Sequence, residues 1–372
     1  MSVKVCHVTS GYIRDNARVF QRQCKSLQKF GFEVSLLTND GEIDEIKDGI
    51  RIYSCKRFWK NRFKVLLFAK YQFLESAINI DADIYQLHSP ELISLGLSLQ
   101  KIGKKVVYDA HEDLPRHILE KEWLPLFSRK FISFFVEKLM RRYLSKYNHI
   151  ISPHLHVIND LKGINSSCTL ITNFPIVNTK RSFSLNEYLA RDKTLCYTGT
   201  VYEYSNQEFI LKALNDIADL KYRTVGYISD QQLDQLSKIK SYSRCNFGGL
   251  IPFNQMNNFY DNTIIGIVVY DYKLNLGNKL GSYGTNKIFE YMEAGIPFIC
   301  TDYDLWKLII DKYSCGIYVE PQNTSQIRDA LNLLLTNPVK AHEMGQNGRK
   351  AVMQEYNWEK EEITYIDIFK KI

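Results

Sequence analysis

Short apolar runs rich in Val, Ile, Tyr and Phe recur along the chain, each followed by a segment with apolar positions three or four residues apart. A run that is apolar throughout fits a strand covered on both faces, and the 3.6-residue period fits the helix that covers it. The alternation predicts an α/β chain of parallel sheets joined by crossover helices. In the first half, strands are expected near Lys4 to Thr9, Glu33 to Leu37, Asp83 to Leu87, Lys105 to Ala110, His149 to Ser152 and Thr169 to Thr172. The second half repeats the rhythm near Thr194 to Thr198, Tyr222 to Val225, Ile264 to Tyr270, Pro297 to Thr301 and Gly316 to Val319. Between them Asn173 to Lys193 is polar, lacks a period and contains Pro175, so it reads as a linker. Two Rossmann-like domains are expected, 1–175 and 176–356, with a final helix over 357–372 packing back on the first. Parallel sheets take ligands at the carboxyl ends of their strands, so a substrate in a cleft between the domains is the default expectation.

Helix starts are well marked at Ser89-Pro90 and Asn337-Pro338, each an N-cap residue followed by proline at the first helical position. The first residues enter a strand pattern directly, without the features of a leader, and no apolar run approaches the ~20 residues of a membrane-spanning helix. The eight cysteines form no C-x-x-C and no Cys/His cluster, which argues against zinc and against a disulfide framework. A cytoplasmic location with reduced thiols is expected. The net charge of +7 is unevenly placed, since residues 1–180 hold 27 Lys/Arg against 18 Asp/Glu. That asymmetry points to an anionic surface as partner, either nucleic acid or phospholipid headgroups.

The first strand runs into VTSGYIRDNARVF, Val8 to Phe20, with one glycine, Gly11. A G-x-G-x-x-G turn is absent, which argues against a dinucleotide cofactor, and no P-loop is present. Gly11 reads either as an ordinary strand-to-helix turn or as a close approach to a ligand. The segment YGTNKIFEYMEAGIPFICTD, Tyr283 to Asp302, carries more. Gly284 and Thr285 precede a short helix closed by Gly295 and Pro297, so Thr285 or a neighbour is expected to cap a helix whose free N–H groups form an anion site. Lys287 and Glu290 share a face, a cation for phosphate beside a carboxylate that can accept two hydroxyl hydrogen bonds. A surface ion pair on an amphipathic helix is the other reading of that spacing.

The run Asn286-Lys287-x-x-Glu290-Tyr291-Met292-x-Ala294-Gly295-x-Pro297 resembles the donor-site signature of retaining GT-B glycosyltransferases of family 4. VYDAHED (Val107 to Asp113), ITNFP (Ile171 to Pro175), YTG (Tyr197 to Gly199), GGLIPFNQM (Gly248 to Met256) and YNWEKE (Tyr356 to Glu361) follow in that family's order, so the resemblance covers nearly the whole chain. It implies a GT-B fold and a nucleoside diphosphate sugar as donor. It also implies that Glu290 holds the ribose hydroxyls as the second glutamate of an E-x7-E motif. Lys287 with the helix N-terminus would face the diphosphate, Tyr283 to Asn286, Gly199 and Thr200 would belong to the donor site, and Gly248 to Pro252, including Leu250 and Ile251, would line the base pocket. His111 would lie near the transferring sugar; the competing reading is a loop histidine bonded to Glu112 or Asp113. No metal or other cofactor is implied.

Two departures stand out. Ser282 occupies the place of the first glutamate, and GTVYEYSNQEF (Gly199 to Phe209) lacks the family's Arg and Lys, offering only Thr200, Ser205 and Asn206. Phosphate charge is then expected to be met elsewhere, by Lys287, Lys279 or Arg18, each of which reads equally as a solvated surface charge; Gly11, Asp15, Arg18 and Lys279 are the candidates for the phosphate or acceptor side. Two basic aromatic segments, Lys56 to Phe73 and Leu124 to Leu144, read either as surfaces for an anionic headgroup layer or as helices that bury their aromatics; no nucleic-acid motif accompanies them. The expected function is therefore a retaining, metal-independent hexosyl- or N-acetylhexosaminyltransferase acting on a glycan or lipid-linked glycan in bacterial surface polysaccharide (O-antigen or capsule) assembly, peripheral at the inner face of the membrane. A nucleotide-sugar epimerase and a catalytically silent GT-B partner subunit are the alternatives.

Overall fold

Among the described residues, fourteen strands form two sheets, one in each of two units. The computed structural model describes residues 2–55, 62–121, 124–179, 184–252 and 255–372. The first unit is Met1–Asn173 together with Glu359–Ile372, and the second is Phe174–Trp358.

The first sheet contains β1 (Lys4–Val8), β2 (Glu33–Thr38), β3 (Glu45–Lys47), β4 (Ile50–Ser54), β5 (Ile84–Leu87), β6 (Lys105–Asp109), β7 (His149–Ser152) and β8 (Cys168–Leu170), in the order β3-β4-β2-β1-β5-β6-β7-β8. All neighbours are parallel except β3 and β4. Val5, Cys6, Tyr85, Leu87, Val106 and Ile150 are fully buried, as expected of central strands covered on both faces. The β3–β4 hairpin lies outside the expected strand set. It turns at Asp48-Gly49, both with positive φ, and the alternation of Ile50-Arg51-Ile52-Tyr53 was its legible signal.

The second sheet contains β9 (Thr194–Thr198), β10 (Lys221–Val225), β11 (Cys245–Phe247), β12 (Ile265–Val268), β13 (Phe298–Thr301) and β14 (Gly316–Val319), all parallel, in the order β11-β10-β9-β12-β13-β14. In each sheet the chain reverses its direction of strand addition once, between β1 and β5 in the first and between β9 and β12 in the second. Loops leaving the carboxyl ends of those strands diverge there and open a crevice.

The polar stretch expected to be a linker belongs largely to the second unit. Its Ser184 and Glu187 form a capping box on the short helix Leu185–Leu189. Tyr188 Oη then donates to the Ile264 carbonyl at 3.0 Å, and Arg191 to that of Thr263 at 2.9 Å, fixing the segment to the start of β12. The helix Trp358–Lys371 packs on the first unit: Tyr365 Oη donates to Gln86 Oε1 at 2.5 Å, and Glu362 accepts from Ser26 at 2.6 Å and pairs with Lys29 at 2.7 Å. No helix among the described residues is long and apolar enough to cross a membrane.

Candidate active site

In the second unit the helix Lys287–Glu293 buries Ile288, Phe289, Tyr291 and Met292, which turns Lys287 and Glu290 to its less buried side. Lys287 Nζ lies 5.4 Å from the ring centre of Tyr197 and 5.5 Å from that of Tyr270, so the ammonium rests between two π faces where β9 and β12 diverge. It makes no ion pair among the described residues. Beneath it, Gly199 has φ of +104°, and a Cβ there would stand 2.8 Å from Nζ. A Cβ on Gly226 would stand 2.1 Å from the Gly199 carbonyl oxygen, so the loops after β9 and β10 meet backbone to backbone. Gly199 N–H donates to Val225 at 2.6 Å and Gly226 N–H to Gly249 at 2.7 Å, which ties in the loop after β11.

Glu290 accepts a 2.7 Å hydrogen bond from Tyr260 Oη, which also lies 3.2 Å from Thr198 Oγ1. Burial, with Glu290 beside it, pushes the Tyr260 phenol well above its usual range, so it remains a donor. That bond orients one carboxylate oxygen; the other has no hydrogen bond among the described residues. Alongside lies a pocket of about 370 Å³ lined by Arg223, Val225, Asn246, Gly248, Ile251 and Phe259, among others. The Arg223 guanidinium sits 5.1 Å over the Phe259 ring and, among the described residues, has no ion pair. An uncompensated ammonium, a hydroxyl-accepting carboxylate and a recess with an aromatic wall and a guanidinium are brought together here. Arg223 carried no signal in the sequence beyond one basic residue in a strand.

Other expected residues have different duties. Of Thr285 and its neighbours it is Asn286 that takes the N-cap position, without a side-chain cap bond, and its Oδ1 is buried with no partner among the described residues. Ser282 is buried, accepts from Gly284 N–H at 2.9 Å, and its carbonyl accepts from Trp306 Nε1 at 3.0 Å. It is a loop brace at the position that the resemblance gives to the first glutamate. Tyr283 packs with Phe174, Phe289 and Tyr356. Leu250 is largely exposed, while Ile251 lines the pocket. Thr200 contributes its carbonyl to Tyr197 Oη at 2.8 Å; Ser205 and Asn206 are buried, the latter donating to Asp271 at 3.0 Å. Lys279 is committed to Asp302 and to Tyr272 Oη, so it is not a free phosphate cation.

In the first unit Arg18 is likewise committed. Its guanidinium pairs with both oxygens of fully buried Asp109, at 2.9 and 2.8 Å, and donates to the Ile171 carbonyl at 2.9 Å and Asn173 Oδ1 at 2.6 Å. A π-helical turn over Val19–Cys24, with Gln23 N–H bonded to the Arg18 carbonyl, lets Gln23 reach the same carboxylate at 2.8 Å. His111 stands 3.0 Å from Asp109 Oδ2 through Nε2, not on Glu112 or Asp113; Glu112 pairs with His117 and Asp113 caps the helix Leu114–Leu119. His88 Nδ1 lies 3.3 Å from the same oxygen, and its Nε2 lies 2.9 Å from His7 Nδ1. One tautomer set satisfies the chain: His7 donates to His88, and His88 and His111 donate to Asp109, leaving Nδ1 of His111 as an acceptor. Burial lowers His7 well below the usual imidazole range and His88 to about 4, so both are neutral near pH 7. His88, Asp109 and His111 have the spacing of metal ligands. The Arg18 guanidinium on both carboxylate oxygens opposes a cation there, so the cluster reads as a device that orients His111. Gly11 has φ of +88° and donates to Asn39 Oδ1 at 3.3 Å, and Asp15 pairs with Lys47 at 3.2 Å and accepts from Gln21.

The chain matches the family Glycosyltransferase Family 4 over residues 17–174 and the family Glycosyl transferases group 1 over residues 181–351. The chain belongs to the group 1, family 4 type of glycosyltransferases. The uncharacterized glycosyltransferase MJ1069 of Methanocaldococcus jannaschii is 25% identical over 187 residues, 48% of this chain and 45% of that protein, so the match spans under half of the relative's length. Among solved structures, sucrose-phosphate synthase from Thermosynechococcus elongatus superposes with a TM-score of 0.77 at 15% identity, over 99% of this chain and 98% of that one. TarM from S. aureus, in a complex with UDP, gives 0.73 at 10% identity over 99% and 100%. HepE from Anabaena, bound to UDP-glucose, gives 0.70 at 10% identity over 99% and 100%. These likenesses identify the fold of this family 4 type chain as GT-B.

Proposed function

We propose that this chain transfers a hexosyl or N-acetylhexosaminyl group, with retained anomeric configuration, from a nucleoside diphosphate sugar to a hydroxyl of a glycan or lipid-linked glycan in bacterial surface polysaccharide assembly. The observation that carries the reading is Lys287, an ammonium that makes no ion pair among the described residues, on the same helix face as Glu290 and above the Gly199 turn. A diphosphate supplies the missing negative charge, ribose hydroxyls suit the open oxygen of Glu290, and a base fits the recess beside Phe259 and Arg223. The UDP complexes of TarM and HepE support a nucleotide donor. In the reaction the bond from the anomeric carbon to the diphosphate oxygen breaks. The acceptor oxygen bonds that carbon on the same face, and the hydroxyl proton leaves with the diphosphate. Lys287 stabilises the charge that develops on the departing phosphate.

Calorimetric titration with nucleoside diphosphates tests this reading. Binding is expected, and Glu290→Gln should weaken it by about 1.5 to 3 kcal/mol, the scale of a charge-assisted hydrogen bond. A folded protein that binds no nucleoside diphosphate would be a silent partner subunit, and one that converts donor sugar without acceptor would be an epimerase. The anomeric configuration of the product, read by NMR, tests retention. His111→Ala should lower turnover on the order of 10²-fold with little change in donor affinity, because a contact made to the reacting sugar appears in the rate. Wild-type turnover in that variant would leave His111 a merely structural part of the Asp109 network.

A further inference from the structure

The helix Leu126–Leu144 of the first unit carries large apolar side chains on its open side. Phe127 is 82% exposed, Phe131 56%, Phe134 51% and Phe135 53%, with Leu126 and Leu139 also exposed. The rings form one patch, with centres 4.5 Å apart for Phe131 and Phe135 and 5.8 Å for Phe134 and Phe135. The opposite side is held by its own unit, Ser133 donating to the Pro115 carbonyl at 2.9 Å and Leu144 fully buried. A contiguous exposed aromatic patch of this kind marks an interaction surface.

Charge decides what covers it. Residues 124–146 hold six Lys/Arg against one acid, Glu137, which is taken up by Arg141 at 2.8 Å. Lys138, 4.5 Å over the Phe134 ring, and Arg142 are exposed and make no ion pair among the described residues. Residues spaced three, four and seven apart put the aromatics and these cations on one side of the helix, the phenylalanines toward its start and the cations toward its end. An anionic bilayer surface accepts both parts at once, aromatic rings at the acyl boundary and ammonium and guanidinium groups among the headgroups.

We infer that this helix docks the first unit onto an anionic phospholipid surface. The companion segment Lys56 to Phe73 lies partly outside the described residues. The test is sedimentation of the full chain with phosphatidylcholine vesicles that contain or lack phosphatidylglycerol. The wild-type chain should sediment with the anionic vesicles, stay in solution with the neutral ones, and be released by salt near 1 M, where the screening length falls to about 3 Å. Phe131→Ser with Phe135→Ser should abolish sedimentation, and Lys138→Gln with Arg142→Gln should lower vesicle affinity about five-fold per cation removed. These positions are exposed, and an unchanged thermal unfolding curve certifies the fold of each variant. The inference is overturned if the wild-type chain ignores anionic vesicles or if both folded variants bind them as the wild type does. It is equally overturned if the variants instead lose binding to a single-stranded RNA probe, or dissociate a wild-type dimer, while vesicle binding is absent.

Discussion

Lys287→Ala is expected to lower glycosyl transfer by about 10²- to 10³-fold while leaving the fold intact, the range seen when one donor to a developing negative charge is removed. The size follows from how few cations are available. Lys279 is spent on Asp302 and Arg18 on Asp109, so neither can take over. Lys287 itself rests on the faces of Tyr197 and Tyr270 and makes no ion pair among the described residues, so its removal strands no buried carboxylate. Stability should therefore change little, and the loss should appear in kcat more than in nucleotide affinity. Lys287→Arg should recover little of it, because a planar guanidinium needs more room than the ammonium has above Gly199. Single-turnover rates beside thermal unfolding decide the matter; a folded Lys287→Ala protein that turns over like the wild type would move the phosphate site elsewhere.

The second large effect concerns stability. Arg18→Met should cost about 3 to 5 kcal/mol, because it leaves the fully buried Asp109 carboxylate without its cation. In the wild type, burial alone would push Asp109 up, but Arg18, with His111, outweighs it and holds the carboxyl well below 3.8. A lowered folded value means that this contribution is present above pH 3.8 and lost below it. In the variant the sign reverses. Asp109 should rise above 3.8, so the proton it takes up neutralises the stranded charge, and the deficit relative to wild type narrows as pH falls. Both proteins also lose stability below about pH 6.5, because burial lowers His7, His88 and His154, the last to about 3, and the unfolded chain binds protons that the folded one refuses. Denaturant unfolding of the two proteins across that range isolates Asp109 as the difference between them. Equal stability at every pH would show that the pair contributes nothing.

The expected strands in both units are present because each is a local signal, an apolar run bounded by turn residues. β3 and β11 are three residues long and too brief to show a period. Lys287 and Glu290 were legible together because a helix places residues three apart on one face. The partners of Arg18 were not, since Asp109 lies ninety-one positions away and only the ordering of β1, β5 and β6 brings the two together. A sequence shows a charge but not its through-space neighbour, and the same limit made Lys279 read as available. It also left open whether Phe131 and Phe135 pack inward or outward: a helix with apolar residues on most of its circumference gives no local sign of which side its unit covers.

The helix Trp358–Lys371 completes the first unit but follows the whole of the second unit in the chain. During synthesis, therefore, the sheet of the first unit leaves the ribosome with Gln86, Ser26 and the Thr172 N–H still lacking Tyr365, Glu362 and Glu361, the partners they will have in the finished protein. The second unit, contiguous from Phe174 to Trp358, can fold as it emerges. The order of completion is thus the reverse of the order of synthesis: the unit begun first is the one closed last.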